Sequence, residues 1–444
     1  MPKKNKRDVR IQRADMRRRM HPPSAEVAEI TAYLREQLTA ATFAKAREGH
    51  TRLKLRDRIL NLPVMCAIVL SMVSRQFPSL SVVLRELKLK GLLWVESTTV
   101  SKEALSKRLA RMPSELFASL FGELLRSSAA QSTSKKVPSL IEEEFGHLRT
   151  RYSCIWIADG STLERLRKTT QELREVKGSP LAGKILLLID ALTRRPLEVF
   201  YNPEAKANEK TFIDQILAAL PHGGLLIFDS GFTNYGFYAT LSDRGSYFIT
   251  RIRTSARYEV RRTLSSRSHY RDEVITLGDR NHRTGHEYRL ISVLWGKTWY
   301  QYLANELDPG RLSAREVAQL YRTRWRIEEA FALTKRLLGL SYLWIGGTNG
   351  VEIQLWSTLI FYTAIMDLCE DVAAQLQQPV ERLSVEMIFR SLYHYDDLQR
   401  SDPQSTLVGF LIEHAKTLGI VKEQKKRDRL RDKKLEEIWG TTLS

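Results

Sequence analysis

Tyr321, Arg324, Glu328 and Lys335 stand at relative positions 0, 3, 7 and 14 of the stretch YRTRWRIEEAFALTK. At roughly 100° per residue on an α-helix they fall within an arc of about 60°. One helix face would then present a phenol, a guanidinium, a carboxylate and an ammonium. Such a row reads in two ways. It is a salt-bridged surface, or it is a metal-ligating carboxylate whose cationic neighbours hold phosphates. The second reading needs further carboxylates on neighbouring elements. The sequence offers Asp159 after the apolar run SCIWIA, Asp190 within KILLLIDA and Asp229 after GLLIF. Asp190 precedes ALTRRP, so it also suits a support for the strand turn or a partner of Arg194 or Arg195.

The elements that must position these groups are legible in outline. Ser313-Ala-Arg-Glu316 has the capping-box pattern, and Gly339 follows Leu338 as a stop, which predicts one long helix over about 313–338. Leu320, Ile327, Phe331 and Leu338 recur at helical spacing as its core-facing stripe. Trp325 points about 40° from Tyr321 on the wheel and reads as packing. Ahead of this helix, short apolar runs at 153–158, 184–191 and 197–201 predict an antiparallel meander. A helix over about 208–220 follows, then a strand at 224–228, a helix near 235–242 and a strand at 246–249. The Asp159 and Asp229 carboxylates are expected at the ends of neighbouring central strands. Between 251 and 307, ARYEVRRTL, DEVITLGD, YRLISVLW and TWYQYLANE are strand-like and hold no long helical pattern.

Tyr, two residues, Arg, three residues, Glu, six residues, Lys resembles the signature of the insertion-sequence-4-type DDE transposases, and YRxRWxIEExF around it looks like theirs as well. Asp-Gly-Ser-Thr at Asp159 and DSGF at Asp229 resemble that family's first and second motifs, which favours Asp159 over Asp190. GxxxxVEIQxW ending at Trp356 and VSKEALSKRL from Val100 are similar to further family strings. The resemblance implies an α/β fold: a ribonuclease H-like catalytic core with a β-rich insertion, flanked by helical N-terminal and C-terminal regions. The strand and helix order above is itself ribonuclease H-like. The resemblance further implies that Asp159, Asp229 and Glu328 are catalytic and ligate two Mg²⁺ or Mn²⁺ ions, with Asp159 bridging. Tyr321, Arg324 and Lys335 would contact DNA phosphates. Tyr300, with Trp299 on the opposite strand face, stands where relatives stack a flipped base. The implied activity is that of an insertion-sequence transposase on terminal inverted repeats and target DNA, acting as a synaptic homodimer without a nucleoside triphosphate. A transposase-derived DNA-binding protein that no longer cuts is the alternative, and a ribonuclease H-like nuclease without strand transfer is a third.

Composition sets the frame. A formal net charge of +19 over 444 residues points to a polyanionic partner. The most apolar run, 59–73, contains Asn61 and Pro63 and is too short to cross a bilayer, which takes about 20 residues. No apolar signal segment, CxxC zinc pattern or GxxxxGK[ST] loop is present, and the three cysteines are isolated, so a reducing cytoplasmic setting is expected. Residues 1–22 read as a basic tail and 23–130 as a helical DNA-binding domain. There Lys102, Lys107 and Arg111 lie off the stripe of Val100, Ala104, Leu105 and Leu109. The small polar stretch 127–137 predicts a boundary, 150–340 the catalytic domain with its insertion at 251–307, and 341–444 a helical C-terminal region.

Overall fold

The computed structural model describes residues 27–48, 58–77, 79–131, 137, 139–164, 181–204, 207–278, 285–332, 348–399 and 406–422. The tail at 1–22, Lys335, Gly339 and the basic segment after 422 lie outside the described residues.

The N-terminal third is helical: α1 (Ala28–Gln37), α2 (Ala40–Glu48), α3 (Leu62–Ser74), α4 (Leu80–Leu89), α5 (Lys102–Arg111), α6 (Glu115–Gln131) and α7 (Leu140–Phe145). Asn61 caps α3 by accepting the Val64 N–H at 3.1 Å, and Pro63 sits in the first turn, where its missing donor does no harm. The helix is buried nearly all round, as its unbroken apolar sequence requires. On α5, Leu105 and Leu109 are buried while Lys102, Lys107 and Arg111 are exposed. Ala104 is exposed too, so the apolar stripe is narrower than the sequence suggested.

The sheet region follows with β1 (Ile155–Glu164), β2 (Leu181–Asp190), β3 (Pro196–Asn202), a 3-10 turn (Glu209–Phe212), α8 (Ile213–Ala219), β4 (Leu225–Phe228), α9 (Tyr235–Asp243) and β5 (Tyr247–Arg251). The insertion supplies β6 (Tyr258–Ser266), β7 (Tyr270–Leu277), β8 (Glu287–Trp295) and β9 (Thr298–Ala304). Then come α10 (Ala314–Thr323), α11 (Trp325–Ala332), α12 (Thr348–Leu376), α13 (Val385–Gln399) and α14 (Leu407–Glu413).

Among the described residues one nine-stranded sheet runs in the order β3-β2-β1-β4-β5-β9-β8-β7-β6. β1, β2 and β3 are antiparallel, β1, β4 and β5 are parallel, and the insertion extends the sheet through the antiparallel β5–β9 pair. The first five strands thus have the ribonuclease H-like order, and the insertion is a continuation of the same sheet. Asp190 does support the turn after β2: its Oδ1 accepts from Leu192 N–H at 3.0 Å, Thr193 N–H at 2.7 Å and the Thr193 hydroxyl at 2.9 Å.

Strand side chains alternate between faces. Ile155, Ile157, Leu225 and Ile227 face the core shared with α3, α10 and α12, and Ala158, Leu226 and Phe228 face α8 and α9. Both N-terminal and C-terminal helices pack on α12. On the insertion, Arg289 is 0% exposed and grips both carboxylate oxygens of Asp272, with Nε–Oδ1 at 2.7 Å, while its Nη1 donates to the Leu312 carbonyl. That contact ties β7 and β8 to the start of α10. The three cysteines are free, and no helix among the described residues is long and apolar enough to cross a membrane.

Candidate active site

The parallel pairing of β1 with β4 ends at Ala158 opposite Phe228. Asp159 and Asp229 are therefore the next residues on two adjacent chains. Alternation places Asp159 on the face of Ile155 and Ile157, beneath α10 and α11. Asp159 does not end its strand, contrary to the expectation. β1 continues to Glu164 because β2 goes on pairing with it, and only the β4 edge stops. Asp229 does terminate its strand and caps the short turn after it, its Oδ1 accepting the Gly231 N–H at 2.8 Å.

Across from the aspartates, the expected single helix is broken. Ser313 and Glu316 form the capping box that starts α10, and Leu320, Ile327 and Phe331 are buried as the spacing required. Arg324, however, separates α10 from α11. The Thr323 hydroxyl turns back to the Leu320 carbonyl at 2.6 Å, the Arg324 N–H bonds Tyr321 O at 3.2 Å and the Ile327 N–H bonds Arg324 O at 3.1 Å. These three-residue bonds tighten the chain where α-helical ones would continue it. The tightened turn aims Arg324 at the sheet, and its Nη1 donates to Asp159 Oδ2 at 2.9 Å.

Asp159 is 9% exposed. Burial pushes its carboxyl up to about 7; Asp229 and Glu209 push the same way, while Arg324 and the Gly160 N–H oppose them. Arg324 itself is raised above its usual range: burial opposes, and Asp159, Tyr321 and Asp229 outweigh it. Tyr321 is buried, its ring 5.8 Å from the Arg324 guanidinium carbon and 5.2 Å from the Tyr302 ring.

Glu328 lies on α11, which packs on β1. The placement of its side chain and that of Lys335 lie outside what is described. Tyr300 packs against the core on the aspartate face with Arg251 5.4 Å from its ring, whereas Trp299 is 41% exposed beside Arg271 at 5.5 Å. The two aromatics therefore do sit on opposite faces. Trp325 corrects the sequence reading, which took it as packing: it is 63% exposed and adjoins Arg324 at 5.9 Å.

Four residues at this site escaped the sequence reading. Glu209 reaches in beside both aspartate segments: a Cβ on Gly160 would lie 2.7 Å from its Cγ, and one on Gly231 would strike its carboxylate. Lys184 holds it at 3.1 Å. Nothing local in AKANEK marks it, since it arrives through the packing of its turn on the turn after Asp229. Arg253 donates from Nε and Nη2 to the Ser230 carbonyl at 3.1 and 3.0 Å, bracing the residue after Asp229. Arg251 stands with it at the end of β5, and the alternating basic pair in TRIR was the signal available.

Asp159 and Asp229 are hard oxygen donors side by side, the donor type that Mg²⁺ and Mn²⁺ prefer. Among the described residues no group of three His, Cys, Asp or Glu side chains is arranged to hold a metal ion.

Residues 153–364 match the family described as Transposase DDE domain. A protein of Sinorhizobium fredii named "Putative transposase y4zB" is 23% identical over 192 residues, covering 40% of this chain and 51% of that one. The chain thus spans about half the length of this curated relative. A cryo-EM structure titled as a piggyBac transposase synaptic complex with hairpin DNA is similar over 89% of this chain and 86% of that one, at 11% identity and a TM-score of 0.34.

Proposed function

With residues 153–364 carrying a transposase DDE domain, we propose that this chain is the DNA transposase of an insertion sequence, and that it binds terminal inverted repeats, cleaves DNA at them and joins the freed 3′-hydroxyl to target DNA. The observation that carries the reading is the pair of aspartates at the end of the β1–β4 pairing, faced by Arg324 from the turn that leads into the Glu328 helix. Asp159, Asp229 and Glu328 would hold two Mg²⁺ or Mn²⁺ ions, which supply activation of the attacking oxygen and stabilisation of the departing one.

The chain's own groups do the rest. Arg324 and Lys335 orient the phosphate, Arg324 through a planar fork and Lys335 as a point charge. Tyr321 adds a phenol beside them. Tyr300, on the aspartate face with a guanidinium at its ring, offers an unpaired base a stacking surface. Trp299 and Arg271 contact the duplex from the other face. The helices of 23–130 bind the repeat, with α5 presenting Lys102, Lys107 and Arg111, and the basic tail 1–22 adds charge. Residues 150–340 form the catalytic domain with its insertion at 251–307, and 341–444 a helical support. Holding two DNA ends calls for a homodimer in the synaptic complex.

The test is cleavage of a supercoiled plasmid carrying the DNA on both sides of this coding sequence, with Mg²⁺, Mn²⁺ or EDTA. Metal-dependent 3′-hydroxyl ends at an inverted repeat, absent with Asp229→Ala and Glu328→Gln, are the expected result. Cutting at an unchanged rate by Glu328→Gln refutes the assignment of that residue. Binding without cutting under either metal would make the chain a DNA-binding derivative of a transposase.

A further inference from the structure

The side-chain amide of Asn349, in the first turn of α12, is committed to another helix. Its Nδ2 donates to the carbonyls of Met112 at 2.7 Å, Leu109 at 3.3 Å and Ala110 at 3.5 Å. Its Oδ1 accepts the Ser114 N–H at 3.1 Å, and the Ser114 hydroxyl donates to Glu352 Oε2 at 2.6 Å. These bonds close the C-terminus of α5. A helix leaves its last carbonyls without intrahelical partners. Pro113, directly after Met112, has no N–H to offer them. One asparagine more than two hundred residues away in sequence takes that place.

What α12 connects gives the contact its meaning. The helix packs on α3, α5, α6, α13, α14 and β3, and it is the next described element after α11, which carries Glu328. Its opening sequence divides cleanly: Val351, Ile353 and Gln354 are buried, and Glu352 turns to Ser114. α5 is ten residues long, buries Leu105 and Leu109, and packs on α4 and α12. Apolar packing tolerates a small slide or rotation, whereas directional bonds at one end do not. Ser101 fixes the other end, accepting the Ala104 N–H at 3.1 Å.

We infer that Asn349, with Glu352 and Ser114, is a positioning site that holds the basic face of α5 in fixed register with the carboxylates of β1 and β4, so that DNA bound along α5 delivers one particular phosphate to them. This rests on the function proposed above. Asn349 touches no DNA in this scheme and acts through α5. Losing it changes where and how fast DNA is cut more than how tightly it is held.

The test uses the full chain and the same supercoiled plasmid. Asn349→Asp keeps an acceptor for the Ser114 N–H and deletes the donors to the three carbonyls. Ser114→Ala is the gentler variant, removing only the hydroxyl bond to Glu352, and it decides the matter if the first variant fails to fold. Three readouts are compared with wild type: plasmid affinity, the map and rate of cut phosphates, and amide hydrogen exchange across residues 102–112. Affinity is expected to stay within about twofold and exchange to quicken in α5 alone. Cutting is expected to fall by about tenfold or to spread to neighbouring phosphates, since misplacing reacting groups by about 1 Å costs up to about 10²-fold. Wild-type cutting at the wild-type phosphate, alongside faster exchange in α5, would overturn the inference and leave only a helix cap. If the wild-type chain leaves the plasmid uncut with both metals, the proposed function fails and the positioning role falls with it. Wild-type cutting with indifferent variants sinks the positioning role alone.

Discussion

Arg324 reaches Asp159 across 2.9 Å, joining residues 165 positions apart. The contact exists because the chain breaks helix at Arg324 and because β1 runs past the end of its pairing with β4. The pair places a cation against one of two neighbouring carboxylates, so the site is electrostatically assembled by the fold of the protein itself. Replacing Arg324 with Gln should lower the melting temperature, because Asp159 then loses its cation in a poorly solvated place. The loss stays below the roughly 3–5 kcal/mol of a fully buried pair, since both side chains keep some contact with water. Plasmid cutting should fall much further. Arg324→Lys should restore more of the stability than of the cutting, because an ammonium supplies charge without the planar fork. Equal recovery of both would mean that charge alone matters.

Gly231 should accept a side chain only by displacing two carboxylates. A Cβ there would lie 2.8 Å from Asp229 Oδ1 and closer still to the Glu209 carboxylate. Gly231→Ala is expected to reduce cutting by about 10²-fold through displaced groups, with thermal melting nearly unchanged. Adding Glu209→Ala removes the nearer obstacle, so the double variant should cut faster than Gly231→Ala alone, a coupling that a double-mutant cycle measures.

Arg253 braces the Asp229 turn through two bonds to one carbonyl. Arg253→Ala should slow cutting by about tenfold while leaving most of the DNA affinity, read as a fall in single-turnover rate at saturating protein. A loss confined to affinity would instead make Arg253 a simple phosphate contact.

The buried Arg289–Asp272 pair should matter for stability and not for chemistry. Arg289→Leu leaves a carboxylate uncompensated among residues of the insertion, a change that costs about 3–5 kcal/mol. Urea denaturation should show that loss, and Asp272→Leu in the same chain should recover much of it. Full stability in the single variant would mean that water reaches Asp272.

The sequence by itself determined the elements and the chemical types at the site. Short apolar runs gave the strands. The Ser313 capping box and the Leu320, Ile327 and Phe331 stripe gave the helix start and its buried side. Short aspartate-ended runs pointed to Asp159 and Asp229. All of these are local signals, carried by neighbours within a few residues. Tertiary structure alone decided that the insertion continues the core sheet, that Asp159 lies inside its strand, that the helix breaks at Arg324, that Trp325 lies in solvent, and that Glu209 and Arg253 brace the aspartate segments. It alone brought Asn349 to the end of α5. Each of these depends on which distant groups meet, and local spacing carries no record of a partner supplied by another part of the chain.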